Sequence, residues 1–132
     1  MTYRERQFRP TPPDYLVPLT TAVDADLITP TESRLIESFI SEIDVLRKIT
    51  DHRKYVIAHT LTSFRQYLPS YETCILSDVF VAIERYRAQT HHKPSTQGIT
   101  LAIIKKFLIW AYNGGHAPLL DVSKIQEIKV SV

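Results

Sequence analysis

The sequence predicts an all-α fold, a four-helix bundle, and three observations carry that reading. Apolar residues recur at helical spacing in four separate segments. Short polar links containing prolines or capping residues divide those segments. The chain also holds only three glycines, which argues against glycine-rich phosphate loops and many tight hairpins. At 132 residues it fits one domain, and 44% hydrophobic with 23% charged residues excludes a mainly disordered chain.

The first segment, 1–28, contains Pro10, Pro12, Pro13 and Pro18 with little apolar periodicity, and reads as a flexible or extended amino-terminal arm. Its "RERQFR" run is a solvated tail or a phosphate contact. A helical domain over 29–116 follows. In "TPTESRLIESFISEIDVLRKI" Thr29 precedes proline and Thr31 is placed to cap a helix with Glu32 in its first turn. Leu35, Ile36, Phe39, Ile40, Ile43 and Leu46 form the inward stripe, leaving Glu32, Glu37, Glu42 and Asp44 on the surface.

The second helix is expected from Asp51 to Leu68, capped by Thr50 and stopped by Pro69. Ile57, Leu61, Phe64 and Leu68 point inward, while His52, Tyr55, His59, Thr62, Ser63 and Gln66 collect on the polar side. The third, "SDVFVAIERYRAQ", takes Ser77 as cap and turns Val79, Phe80, Ile83 and Tyr86 inward. After the link "THHKPS" the fourth runs from about Thr96 to Asn113, and Gly114-Gly115 supplies a left-handed ending. Its buried stripe is Ile99, Ile103, Phe107 and Trp110, flanked by Ile104 and Ala111. Residues 117–132 remain as a short turn of helix or an extended tail.

Charge is segregated more than its total of +2 suggests. No carboxylate occurs from His52 to Tyr71 or from Arg85 to Leu120. Those gaps hold Arg53, Lys54, Arg65, Arg85, Arg87, Lys93, Lys105 and Lys106. Two acid-free helices beside an acidic one make a local field suited to phosphate. At about 100° per residue Lys105 falls opposite the Ile103–Phe107 stripe and Lys106 on its flank, with Leu101 and Ile109 near Lys105. The fourth helix is therefore apolar nearly all round. It is either central in the bundle or meets a partner.

These residues resemble the core-binding domain of tyrosine recombinases, the phage-integrase type of site-specific recombinase. The last major helix of that domain opens with Ser-Thr, as at Ser95-Thr96. It carries a bulky aliphatic and two basic residues before an aromatic, as in Ile104-Lys105-Lys106-Phe107, then an aromatic-Ala pair and a small turn, as in Trp110-Ala111 and Asn113-Gly114-Gly115. "LIESFISEI", "DHRKYVIAHTLTSFRQYLP" and "LSDVFVAIERYRAQ" are similar to its first three helices, so the resemblance covers roughly Thr29 to Ile128. It departs at Gln97-Gly98, where the family often has an aliphatic and then an asparagine.

The resemblance implies a SAM-like four-helix domain that forms one half of a clamp on double-stranded DNA, with its second and fourth helices against the major groove. The partners it implies are duplex DNA and a recombinase catalytic domain, in the same chain or with other protomers. The catalytic arginines, His-x-x-Arg motif and nucleophilic tyrosine of such recombinases have no counterpart: none of His52, His59, His91, His92 or His116 has arginine at the third following position. The chain is thus read as non-enzymatic, ending about where the catalytic domain would begin.

The residues expected to touch DNA are Lys54, His59, Ser63 and Gln66 on the second helix, and Lys93, Ser95, Thr96, Gln97, Lys105 and Lys106 on and before the fourth. The lysines would bind phosphates, and Gln66 and Gln97 are the candidate base readers, since glutamine contacts adenine bidentately. Thr96 serves equally as a helix cap. Adjacent His91-His92 without cysteines or spaced histidines is a polar link rather than a metal site, and no cofactor is expected. The lone Cys74 reads as a small buried hydrophobe in a reducing cytoplasm. No signal peptide is visible, and the longest apolar run, Ile99 to Trp110, is too short to span a membrane. The rival reading is a helical protein-interaction domain using outward Leu101 and Ile109.

Overall fold

Thr29, not Thr31, opens the first long helix. Its Oγ1 accepts from the Glu32 N–H at 3.1 Å, and the Glu32 carboxylate accepts from the Thr29 N–H at 2.9 Å. This reciprocal capping box places Pro30 at the first helical position, where a missing N–H orphans nothing. The cap therefore falls one residue before the proline.

The computed structural model describes residues 14–130, which form six helices and no strand. They are α1 (Leu16–Asp24), α2 (Pro30–Arg47), α3 (Asp51–Phe64), α4 (Leu76–Gln89), α5 (Pro94–Asn113) and α6 (Val122–Gln126). The all-α class expected from sequence is what the chain adopts. No helix among the described residues is long and apolar enough to cross a membrane.

Several boundaries differ from those expected, each for a local reason. Thr50 caps α3 through the Arg53 N–H at 3.0 Å, as its position suggested. The regular helix ends at Phe64, four residues early, because Gln66 and Tyr67 switch to tighter bonds on the Ser63 and Phe64 carbonyls ahead of Pro69. Ser77 does not cap α4; Asp78 does so instead, accepting from the Ile75 N–H at 3.0 Å. α5 begins at Pro94, since proline is preorganised for a first turn rather than only a stop. It ends at Gly114, and Gly115 takes the left-handed φ of 78°.

The expected arm is the largest correction. Leu16–Asp24 is helical, and Leu19, Ala22 and Ile28 are buried in the common core. Pro18 falls in the first turn, where its absent N–H breaks no internal bond. Tyr15, Leu19, Ala22 and Val23 supply a short apolar face that packs on α2 and α3. The remainder of that arm, 1–13, lies outside the described residues. The carboxyl-terminal segment also joins the body: Asp121 caps α6, Ile125 is fully buried, and α6 packs against α5.

α5 is the central helix, burying Leu101, Ile103, Ile104, Phe107, Leu108 and Ala111. Phe107 meets Phe39 and Tyr71 edge-on, at centroid distances of 5.2 and 4.8 Å. Such side chains each contribute about 1.5–3 kcal/mol through burial. The expected stripe and its flank hold at Ile103, Ile104, Phe107 and Ala111 but not at the start of the helix. Ile99 is 50% exposed and Leu101 only 3%. The carboxyl-terminal segment covers the Leu101 side: Lys105, one turn on, donates to the Ile128 carbonyl at 3.0 Å. Leu46 and Phe80, also expected inside, are at the surface.

Glu32 reverses another expectation, being 1% exposed instead of solvated. Its Oε2 accepts from Arg65 Nε at 2.7 Å and from the Tyr71 N–H at 3.0 Å. Burial pushes this carboxyl up, but the bonds from Arg65, Tyr71 and Thr29, together with the guanidinium charge, outweigh it and hold the group below its ordinary value. Arg65, counted from sequence among the cations of an acid-free helix, is consumed in this pair and in a bond to the Leu68 carbonyl.

Candidate nucleic-acid interface

α3, the end of α4, the link through His91-His92 and the first turns of α5 enclose an open cleft of about 570 Å³. The side of α3 that faces it presents His52, Tyr55, His59 and Ser63, spaced so that a helix sets them on one face, and Gln66 follows in the turn just beyond the helix. α4 supplies Tyr86 and Gln89, the link His91 and His92, and α5 Thr96, Ile99 and Thr100. No aspartate or glutamate lines it, and no lysine or arginine either. The two acid-free segments of the sequence thus form one surface.

The cleft has an ordered aromatic wall. Tyr55 and His59 lie one turn apart with rings nearly parallel, 14° between planes. Phe64, Tyr67 and Tyr86 pack together as tilted and edge-on pairs, with centroids 5.8 to 6.0 Å apart. The buried Tyr86 hydroxyl pairs with His92 Nδ1 at 2.9 Å. This bond ties the end of α4 to the His91-His92 link.

The ten residues expected to touch DNA separate into groups. His59, Ser63, Gln66 and Thr96 line the cleft, and Lys93 and Ser95 stand exposed at the start of α5 beside it. Lys106 is exposed and falls about 20° from Ile99 around the α5 axis, about 10 Å further along. The remaining three are engaged elsewhere. Gln97 donates its amide N–H to the His92 carbonyl at 3.0 Å and braces the link. Lys54 sits between Asp44 at 3.2 Å and Asp51 at 3.9 Å. Lys105 is turned about 120° from Ile99 and bonds the Ile128 carbonyl.

Sequence reasoning placed Tyr86 inside the core and did not include Tyr67, Gln89 or Ile99 in the site. Ile99, expected inside, is half-exposed and lines the cleft. Thr62, assigned to the polar side of α3, is buried and donates back to the Ala58 carbonyl at 3.0 Å. Cys74 is buried, and burial followed by the nearby Asp78 pushes its thiol up to about 12, which leaves it an unreactive packing group. Tyr71 is likewise held as a phenol, well above its usual value, by burial first and then by the charge of Glu32.

Among the described residues no three of His, Cys, Asp and Glu are grouped to hold a metal ion. The rival interaction surface loses its main support, because Leu101 is covered and Ile109 is only partly exposed. No protein family, curated protein or solved structure matches the chain.

Proposed function

We propose that this chain binds double-stranded DNA through α3 and the first half of α5, as the non-catalytic half-clamp of a site-specific tyrosine recombinase in the cytoplasm. The observation that carries the reading is the single acid-free face on which α3, the His91-His92 link and the start of α5 meet. A polyanion approaching this face meets no lining carboxylate, and it finds imidazoles, hydroxyls and amides to donate hydrogen bonds. Lys93, Lys106 and Arg53 hold phosphates at the edges, while His59, Ser63, Gln66 and Thr96 face the groove. The chemistry of strand exchange belongs to a separate catalytic domain, in the same chain or on another protomer.

An isolated module of this kind neutralises few phosphates, so its affinity for mixed-sequence duplex lies in about the micromolar range. The test is fluorescence anisotropy on a duplex of about 25 base pairs across a salt series. Binding should weaken steeply with salt, and the Lys93→Ala/Lys106→Ala variant should lower the log–log slope by about two. A folded protein that fails to bind at low salt sinks the reading.

A further inference from the structure

We infer that the cleft between α3 and the start of α5 is a pocket for a single unstacked nucleobase, so that the protein prefers DNA in which one base is extrahelical. This rests on the DNA-binding reading and adds to it a ligand for the interior of the cleft. A duplex laid across α3 and α5 touches the rim with its phosphates, but its convex surface does not fill a recess of about 570 Å³. A base swung out of the stack does.

The lining divides as such a ligand requires. Inside, the side chains carry no fixed charge, which suits a neutral heterocycle rather than a phosphate. The nearly parallel rings of Tyr55 and His59, 6.1 Å between centroids and partly open to solvent, offer the flat contact on which a base gains most of its binding. The amides of Gln66 and Gln89 and the free ring nitrogen of His92 offer polar groups to its edge. The Gln66 amide nitrogen already donates to the Ser63 carbonyl at 3.0 Å, which holds the side chain in place and leaves its oxygen to accept. Ile99, half-exposed, supplies the apolar contact opposite. The fixed cations are not in the lining: Arg53 on the flank of α3 and Lys93 at the cap of α5 are exposed and available to the sugar-phosphate strand of an extruded base. Neutral and aromatic within, cationic at the rim: this is the complement of one nucleotide.

Extruding a base from an intact duplex costs unstacking energy, whereas a bulged base has already lost it. The test therefore compares two duplexes of identical sequence, one perfect and one with a single-adenine bulge, by anisotropy at fixed salt. The bulged duplex should bind about five-fold tighter or more. Ile99→Trp, which fills the cleft from a half-exposed position, should bring the ratio of the two affinities back to about one. Tyr55→Ala, which removes a stacking face without adding bulk, should lower the same ratio. Equal binding of the two duplexes by the wild type overturns the pocket and leaves the duplex reading standing. A bulge preference that both variants retain also overturns it, because the preference would then come from DNA bending. Binding of neither duplex overturns both readings.

Discussion

Lys105 Nζ donates to the Ile128 carbonyl at 3.0 Å, and this separates it from its neighbour Lys106, whose side chain stands in solvent. The two are adjacent in sequence but about 100° apart on α5. Lys106→Ala should therefore reduce the salt slope of DNA binding by about one, while Lys105→Ala should change it less. The Lys105 variant should instead lose amide-exchange protection around Ile125 and Ile128, where the carboxyl-terminal segment is fastened. Equal effects of both on the slope would contradict the distinction.

Arg65→Met should be the most damaging single change outside the aromatic core. It leaves the Glu32 carboxylate buried and unpaired, which typically costs about 3–5 kcal/mol. Glu32→Leu/Arg65→Met should recover only part of the loss, because the Thr29 and Tyr71 N–H groups then lack their acceptor. Urea denaturation of the wild type, the single variant and the double variant measures both.

The same carboxyl gives a pH dependence of defined sign. Its folded-state value is depressed, so its contribution is fully present above the unfolded value of 4.5 and is lost as pH falls through the lower folded value. The stability gap between wild type and Glu32→Gln should be constant from neutrality down to about pH 5 and narrow below 4.5. Urea midpoints at successive pH values read this directly. A gap that widened on acidification would show the shift to have the opposite sign.

Thr29→Ala should destabilise by about 1 kcal/mol, whereas Thr31→Ala should lie within about 0.5 kcal/mol of wild type. Thr31 is exposed and accepts only from the Arg34 side chain, at 3.3 Å. Thermal melts of the two variants locate the start of α2 by energy rather than by geometry.

Cys74 should resist alkylation by iodoacetamide at neutral pH for as long as the protein is folded, and react on addition of denaturant. Burial and a thiol pushed up to about 12 leave almost no thiolate to react.

What the sequence made legible follows from how local each signal is. The four long helices were readable because apolar spacing and breakers act within a few residues, as with Thr50 ahead of α3 and Gly114-Gly115 after α5. The absence of carboxylates from both segments was legible in the charge gaps, but the basic character expected of their shared surface is not met in the cleft, which no lysine or arginine lines. Leu16–Asp24 was missed because four nearby prolines masked an apolar face only nine residues long. The burial of Glu32 could not be read locally, since its partners Arg65 and Tyr71 lie 33 and 39 residues away. The covering of Leu101 was not legible in α5 itself, because the carboxyl-terminal segment that packs against this helix leaves no periodic trace. The cleft is therefore the part of the candidate site that sequence could only half describe.

The Glu32 carboxylate also bears on the order in which the chain assembles. Its acceptor oxygens are satisfied from three directions: the start of its own helix, the residue just beyond α3, and the loop at Tyr71. A barrier-top ensemble that dehydrated it before all three arrived would carry a charge with too few partners. The carboxylate should therefore be among the last groups to be enclosed, after the apolar faces of α2 and α3 have met. Loss of Arg65 should then speed unfolding and leave the rate of folding almost unchanged. On that expectation the ion pair is a latch that closes late, and unfolding rates of the wild type and Arg65→Met read its strength.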